Sequence, residues 1–396
     1  MSRLNNRQFF LQHLAQTSPK PIGLEVARAE GIYIHDTKGK AYIDLIAGFS
    51  VCNIGHSHPK VIAAIEHQIK QYMHVIVYGE FIQSPQVQYA KALLSLLPEN
   101  LQSIYFTNSG AEAAEGAMKL AKRVTKRTRI IAFDGAYHGS TQGALSVMGD
   151  EYWRNAFRPL MPGVWHHDYN SEAFLNAINE KTACVIIEAV QAESGVNMPD
   201  KEWMQAIRKK CSALGALLIV DEIQTGFGRT GKMWGFEHSD IIPDIVLLGK
   251  ALGGGMPLGA FVASKEHMQQ LTNNPVLGHI TTFGGHPVSC AAGIAALDVL
   301  REEQLIEQIE EKSKLFVEAL HHEKIKQVRS KGLLIAIELE SNDLVLASIQ
   351  GCLANNLFSD WFLFAPNCIR IAPPLTISLD EIRNACAAIK QVLSSL

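Results

Sequence analysis

The chain has 396 residues, of which 47% are hydrophobic, with a formal net charge of −3 and a pI near 6.6. This length is enough for a large domain and a smaller one, and the nearly balanced charge argues against a nucleic-acid or anionic-membrane partner. The seven cysteines are scattered without a CxxC pair, which excludes an obvious disulfide framework or zinc knuckle and favours a reducing, cytoplasmic location.

The N-terminal region has no long apolar run, so we expect no signal peptide, and no later run is long enough to span a bilayer. Apolar residues on both sides of the turn DTKGK (36–40) predict a small antiparallel hairpin. Two helices are predicted next, one beginning near Pro59 and one over QVQYAKALLSLLP.

His56 and His58 lie in the turn before the first of these helices. Since no histidine cluster has partners at metal-ligand spacing, we predict no metal site.

From Leu101 to about Asp298, strand-like and helical segments alternate, which favours a mostly parallel sheet with helices on both faces. The strand-like runs are SIYFTN, RIIAFDG, ACVIIEAV, ALLIVDE, DIVLLGK and LGAFVAS. A long amphipathic helix is expected over 302–323, then a strand over GLLIAIELE and a last helix from Asp380. We expect a large domain at 56–298 and a small one built from 1–55 and 299–396.

Lys250 is the most informative single residue, because it follows the buried-strand pattern IVLL inside a glycine-rich turn. Burying an ammonium group without a partner costs on the order of several kcal/mol, and the usual escape is loss of the proton. A neutral lysine amine is a nucleophile. The residues alone leave open the alternative that Lys250 extends from the strand end to the surface.

Other strand ends carry groups that suit a ligand, because ligands bind beyond the carboxyl ends of strands in an open α/β sheet. Ser109 and Gly110 stand at a helix start, which is either an anion site or a simple N-cap. Tyr137 follows another strand, either as a stacking aromatic or as a core residue. Asp221 ends an apolar strand and needs a positive partner. A phosphate site, an aromatic ring, a buried aspartate and a buried lysine together match what pyridoxal phosphate requires.

The chain resembles the class III aminotransferases, which are pyridoxal-phosphate enzymes of fold type I. The family includes ornithine, acetylornithine, 4-aminobutyrate and other ω-amino transaminases, and the resemblance runs from about Gly31 to the C-terminus. The segments that carry it are NIGHSHP, TNSGAEAAEGAMKLAK, AYHGST, EAVQAESGV, LIVDEIQTGFGRTGKMWGFEH, DIVLLGKALGGGMPLGA, TTFGGHPVSCAAG and IRIAPPLT. The resemblance implies an α/β fold with a mostly parallel central sheet, pyridoxal 5′-phosphate as cofactor and a homodimer with composite active sites.

By this resemblance, Lys250 forms the Schiff base with the cofactor and moves the proton, Asp221 pairs with the pyridine nitrogen, and Tyr137 stacks on the ring. The other positions that the resemblance assigns to the cofactor are Ser109, Gly110, Ala111, His138, Glu188, Ile223, Gln224 and, from the neighbouring subunit, Thr282. Those assigned to the substrate are Tyr78, Arg370, which binds an α-carboxylate, and Glu193, which pairs with Arg370 when no carboxylate is present.

The implied reaction is ping-pong transfer of an amino group from a primary amine, either an ω-amine or an amino acid, to a 2-oxo acid. One position departs from the family pattern: Ser140 stands where the ornithine, acetylornithine and 4-aminobutyrate groups usually carry an arginine for a second carboxylate. Arg154 or Arg158 are candidates to replace that arginine.

Two other functions remain open from the sequence. Aminomutases and some racemases share this fold and lysine, and they need no external acceptor. The aminotransferase-like half of a transcription regulator would carry an added DNA-binding domain, for which this chain has neither room nor a basic patch.

Overall fold

The computed structural model describes residues 4–396 of the chain. The strands are β1 (Val26–Glu30), β2 (Tyr33–Asp36), β3 (Ala41–Asp44), β4 (Ser103–Thr107), β5 (Arg129–Phe133), β6 (Val164–His167), β7 (Thr182–Glu188), β8 (Leu217–Asp221), β9 (Ile245–Leu248), β10 (Gly259–Ala263), β11 (Gln327–Lys331), β12 (Leu334–Glu338), β13 (Leu357–Phe358), β14 (Asp360–Phe362) and β15 (Ala365–Ile371).

The α-helices are α1 (Asn6–His13), α2 (Ala47–Ser50), α3 (Pro59–Gln71), α4 (Ser84–Leu94), α5 (Gly110–Thr125), α6 (Gln142–Ser146), α7 (Glu151–Arg154), α8 (Lys201–Leu214), α9 (Lys265–Gln269), α10 (Pro287–Glu302), α11 (Ile309–Ala319), α12 (Asn342–Ala354) and α13 (Leu379–Ser395). Short 3-10 helices cover Asn155–Phe157, Glu172–Ala177, Gly235–Ser239, Lys250–Gly253 and Ile306–Gln308. None of the helices within 4–396 combines the length and apolar character needed to cross a membrane.

A seven-stranded sheet in the order β4-β10-β9-β8-β7-β5-β6 forms the centre of the molecule. Only β10 runs against the others, so the predicted, mostly parallel sheet is confirmed. Every residue of β7, β8 and β9 is buried, which is the pattern of strands covered by helices on both faces. The edge strand β6 was missed, because its sequence VWHH is only partly buried and lacks an apolar pattern.

Two smaller sheets lie in the N- and C-terminal parts of the chain. The predicted hairpin is observed as β2 and β3, and the short strand β13 adds to β3 in parallel, so residues from both ends of the chain share one sheet. The second sheet has the order β11-β12-β15-β14 and is antiparallel throughout. Helix α10 runs through position 298, where the sequence suggested a domain limit.

The single long helix expected over 302–323 was wrong, because the chain turns sharply after α10. Gln304 has a left-handed φ of 50°, its N–H bonds to the carbonyl of Arg301, and the N–H of Leu305 bonds to the carbonyl of Leu300. These two bonds form a Schellman motif, which ends a helix. Leu305 is buried by the turn, and a new helix, α11, begins at Ile309.

Candidate active site

A cavity of about 460 Å³ opens at the carboxyl edge of the central sheet, where the chain leaves β4, β5, β7, β8 and β9. Parallel strands bring their carboxyl ends to one edge, so residues distant in sequence meet there. The lining residues are Gly110, Ala111, Tyr137, His138, Gly139, Ser140, Thr141, Glu188, Glu193, Asp221, Ile223, Gln224, Thr225 and Lys250. Gly139, Thr141 and Thr225 were not predicted as site residues, although all three lie within segments that carry the family resemblance.

Lys250 points into this cavity and does not extend to the outer surface. It follows β9 after Gly249, has a left-handed φ of 47° and begins a 3-10 helix. Its Nζ donates to Oε1 of Gln224. Desolvation lowers the pKa of Lys250 from 10.5 to about 8, although the charge of Glu193 opposes this shift. A large fraction of the amine is therefore neutral under mildly alkaline conditions, as a nucleophile requires.

Asp221 and His138 form a buried pair at the base of the cavity. Nδ1 of His138 lies 2.7 Å from Oδ2 of Asp221, and Oδ1 of Asp221 accepts from the backbone N–H of Ile223 at 2.9 Å. Burial disfavours the imidazolium, but the hydrogen bond and charge of Asp221 outweigh it and raise the pKa of His138. One carboxylate with a histidine behind it can therefore hold a positive charge at the cavity floor.

Glu188 and Tyr137 line the wall beside this pair. Oε1 of Glu188 accepts from the backbone N–H of Tyr137 at 2.9 Å, and Oε2 accepts from that of Ala192 at 3.2 Å. Burial raises the pKa of Glu188 to about 7, with Asp221 adding repulsion and His138 opposing it. The Tyr137 hydroxyl lies 3.2 Å from Oγ of Ser140 at the exposed rim.

Small residues at the start of α5 keep the backbone open to the cavity. A Cβ on Gly110 would lie 2.6 Å from Cδ1 of Ile223, so any larger residue would have to displace the Ile223 side chain. Gly110 and Ala111 line the cavity, whereas Oγ of Ser109 accepts from the N–H of Glu112 at 3.2 Å as an N-cap. The free N–H groups of this 16-residue helix therefore face the cavity and suit an anion.

The predicted pair of Arg370 and Glu193 closes one side of the cavity. Both Nη atoms of Arg370 donate to the carboxylate oxygens of Glu193, at 2.8 and 2.6 Å. Burial would raise the pKa of Glu193, but the charge and hydrogen bonds of Arg370 lower it. Glu193 lines the cavity while Arg370 is only 1% exposed behind it. Glu193 therefore covers the arginine.

Four other residues named from the sequence lie outside the cavity lining. Tyr78 lines a neighbouring groove of about 670 Å³, and Thr282 is exposed beside that groove. Arg154 and Arg158 both bind Glu151, at 3.0 and 2.6 Å. Neither arginine lines the cavity.

The cavity residues fit a pyridoxal phosphate group. Nε2 of His138 and the side-chain nitrogen of Gln224 are buried and have no hydrogen-bond partner among residues 4–396, so both can bind a ligand or water. The helix start suits a phosphate, the carboxylate of Asp221 suits a pyridinium nitrogen, and the partly neutral amine of Lys250 suits an aldehyde.

Comparison with known proteins agrees with this chemistry. The family model for class-III aminotransferases matches residues 14–393. The acetylornithine aminotransferase of Methanopyrus kandleri is 38% identical over 386 residues, covering 96% of each chain. The ornithine aminotransferase of Toxoplasma gondii superposes with a TM-score of 0.91 at 29% identity, covering 99% of this chain and 96% of that one. An (S)-enantioselective ω-transaminase of Thermomicrobium roseum gives a TM-score of 0.88 at 28% identity, covering 98% and 97%.

Proposed function

Because this chain belongs to the class-III aminotransferase family, we propose that it transfers an amino group from a primary amine to a 2-oxo acid with one carboxylate. The enzyme is a pyridoxal-phosphate-dependent aminotransferase. Family membership does not establish the preference for an oxo acid with one carboxylate. That preference rests on a single observation: among residues 4–396, Arg370 is the arginine paired beneath the cavity wall, and position 140 is a serine.

The bound cofactor supplies an aldehyde that takes up the amino group and a protonated ring that withdraws electrons from the bonds around the substrate carbon. We assign its phosphate to the start of α5, at Gly110 and Ala111, with Ser109 shaping that helix start. Asp221 would hold the proton of the ring nitrogen, with His138 paired to the Asp221 carboxylate. Tyr137 and Ile223 would cover the ring, and Gln224 and Glu188 would contact its polar atoms.

Lys250 is the proton carrier in this proposal. Its amine would hold the cofactor while no substrate is bound. Once free, the amine would take a proton from the substrate carbon that bears nitrogen and would later give a proton back as a general acid. The lowered pKa of Lys250 supports this role, because an amine with a pKa of about 8 both accepts and gives protons near neutral pH.

Glu193 allows the same site to receive molecules with and without a carboxylate. When the donor has no carboxylate, Glu193 stays on Arg370 and keeps a buried charge paired. When the 2-oxo acid enters, its carboxylate replaces that of Glu193 on the two Nη atoms. A guanidinium fork matches a carboxylate in two parallel hydrogen bonds, so this exchange preserves both bonds.

The three relatives described above carry three different activity names, so their similarity does not select one donor. A second carboxylate would need an arginine near position 140. Both candidates for that role, Arg154 and Arg158, are hydrogen-bonded to Glu151. The cavity therefore predicts that the enzyme uses pyruvate or another monocarboxylic oxo acid at least as well as 2-oxoglutarate.

The enzyme acts as a homodimer in this proposal, with Tyr78 and Thr282 serving the partner's active site. Large apolar residues are exposed in and around the groove beside the cavity: Met73, Ile76, Phe81, Ile82, Val87, Val276, Leu277, Ile280 and Phe283. A contiguous group of exposed apolar residues is typical of a protein interface. The rings of His74 and Phe283, whose centres lie 4.9 Å apart at a tilt of 46°, join the two segments that carry these residues.

We also propose that the enzyme works in the cytoplasm. All seven cysteines are free thiols, and six of them are buried, as in proteins of a reducing compartment.

The test is a panel of amine donors against pyruvate and 2-oxoglutarate, with the oxo product and the new amino acid both measured. Stoichiometric consumption of an oxo acid that depends on the amine supports transamination. An isomerase would convert the amine in the absence of any oxo acid, and that outcome would contradict the proposal. A preference for 2-oxoglutarate of about tenfold or more, which corresponds to about 1.4 kcal/mol, would overturn the assignment of a single-carboxylate site.

A further inference from the structure

The segment Ala47–Ser50, assigned above as α2, is a left-handed turn. The φ angles of its four residues are 48°, 57°, 63° and 63°, and only Gly48 lacks a Cβ. Left-handed backbone is unfavourable for residues with a Cβ, so a run of three such residues persists only where the surroundings hold it. Such a segment is a candidate for a functional role.

Asp44 holds the entry to this turn. Its Oδ1 accepts from the backbone N–H groups of Ile46 and Ala47 at 2.8 and 2.9 Å, and its Oδ2 pairs with Nε2 of His56 at 2.8 Å. Hydrogen bonds to Asp44 and to the thiol of Cys52 raise the pKa of His56 to about 10, so the imidazole of His56 is protonated at neutral pH. Asp44 is fully buried.

The turn reaches Arg370 through Phe49. The guanidinium carbon of Arg370 lies 5.1 Å from the Phe49 ring centre and 4.4 Å from that of Phe362, so the guanidinium group contacts two aromatic rings. The N–H of Ala372, just beyond β15, donates to the carbonyl of Leu45 at 2.6 Å. The turn and the strand that carries Arg370 are therefore tied together.

We infer that Asp44 and His56 are positioning residues for carboxylate recognition: they hold the left-handed turn so that Phe49 keeps the Arg370 guanidinium oriented for the substrate carboxylate. Neither residue lines the cavity. Contact with an aromatic face favours a cation above the ring and limits how far the guanidinium plane can tilt. A bidentate bond needs that plane fixed when Glu193 leaves. This inference rests on the proposed role of Arg370.

The experiment uses holoenzyme of His56→Ala, of His56→Gln, whose amide nitrogen can replace Nε2, and of Phe49→Leu. His321→Gln, an exposed histidine in the loop after α11, is the matched control. Two measurements are made on each variant. Calorimetry gives the dissociation constant of propionate, a carboxylate that cannot react, and single-turnover kinetics gives the rate with a primary amine lacking a carboxylate.

We expect His56→Ala and Phe49→Leu to weaken propionate binding and raise the KM for pyruvate by about tenfold, with the carboxylate-free amine slowed by less than about threefold. His56→Gln should recover most of the loss, and His321→Gln should match the wild type. Thermal unfolding identifies a variant that is merely unfolded, and Phe49→Leu leaves the Asp44–His56 pair intact as an independent check.

Equal losses for propionate and amine, or no loss in either of the two disruptive variants, would overturn the inference. Arg370→Ala separates this failure from failure of the proposed function. If Arg370→Ala leaves propionate binding unchanged, the role of Arg370 itself is wrong. If Arg370→Ala weakens binding and His56→Ala does not, only the positioning role is wrong.

Discussion

Arg370 and Glu193 meet in a two-point ion pair, with Nη–Oε distances of 2.8 and 2.6 Å, and the glutamate stands between the arginine and the cavity. The backbone N–H of Leu363 donates to the same glutamate at 3.1 Å, so the Glu193 carboxylate has a hydrogen-bond donor besides Arg370. A buried guanidinium without a counter-charge is costly, so the pair is the expected resting state if, as we propose, a substrate carboxylate takes the place of Glu193.

Changing Glu193 tests this arrangement. In Glu193→Gln the negative charge that competes with the substrate carboxylate for Arg370 is gone, so the KM for pyruvate should fall. The kcat/KM for a carboxylate-free amine should drop by about tenfold, because the unpaired charge of Arg370 then lies near the apolar group of that amine. Steady-state kinetics with both substrates gives the two values. Asp244→Asn, which breaks the Arg208–Asp244 pair at the other edge of the sheet, is the control. Parallel changes for both substrates would argue against the exchange.

The pKa of Lys250 sets the pH dependence of cofactor attachment. Only the neutral amine reacts with an aldehyde, and the pKa of Lys250 is lowered to about 8, so attachment to the apoenzyme should accelerate as pH rises from 6 and level off above about 9. The rate is followed by absorbance and by borohydride trapping. Lys250→Ala should fold and trap no cofactor. Trapping in that variant, or a rate that keeps rising to pH 10.5, would refute the assignment.

Loss of the Asp221 charge should disable a folded enzyme. Asp221→Asn keeps the shape but removes the partner of the ring nitrogen, so we expect a loss of roughly 3 to 5 kcal/mol of transition-state stabilisation, about 10² to 10³-fold or more in kcat/KM. Glu222→Gln is the comparison, because the neighbouring carboxylate points away and accepts from Gly235 and Phe236. Near-normal turnover by Asp221→Asn would contradict the role of Asp221.

An arginine at position 140 should change the choice of acceptor. Ser140 is exposed at the cavity rim and its Oγ faces the Tyr137 hydroxyl. Ser140→Arg should raise kcat/KM for 2-oxoglutarate relative to pyruvate by about tenfold, since an arginine fork binds a second carboxylate in two hydrogen bonds. Ser140→Gln, similar in polarity but uncharged, is the control. A wild type that already prefers 2-oxoglutarate tenfold would show that another cation serves the site.

The apolar groove should be an interface between two copies of the chain. Ile82, which lies in the chain between the groove residues Glu80 and Gln86, is 96% exposed, whereas Ile242 is 54% exposed in a segment that contributes no residue to the groove. A charge buried in an interface core is unfavourable, so Ile82→Glu should shift the protein towards monomer and lower activity in proportion, while Ile242→Glu should do neither. Light scattering after size-exclusion chromatography measures the molar mass and so distinguishes dimer from monomer. An active monomer would disprove the composite site.

Much of the molecule follows from local sequence. Runs such as IVLL and LLIVD are long enough, apolar enough and β-branched enough to be buried strands, and the family motifs around Asp221 and Lys250 are contiguous. The fold class, the family and the cofactor were accordingly predicted from the residues and confirmed. The edge strand β6 and the turn at Gln304 were missed, because one is too polar and the other depends on a single left-handed residue.

The arrangement of charges depended on tertiary structure. Sequence patterns indicate that a buried charged residue requires a partner. Which distant residue becomes that partner depends on where the strands end and how the sheets pack. Position in the chain therefore did not reveal that Asp44 and His56 brace a left-handed turn, or that this turn carries Phe49 to Arg370. Nor did it show that Arg154 and Arg158 are both paired with Glu151.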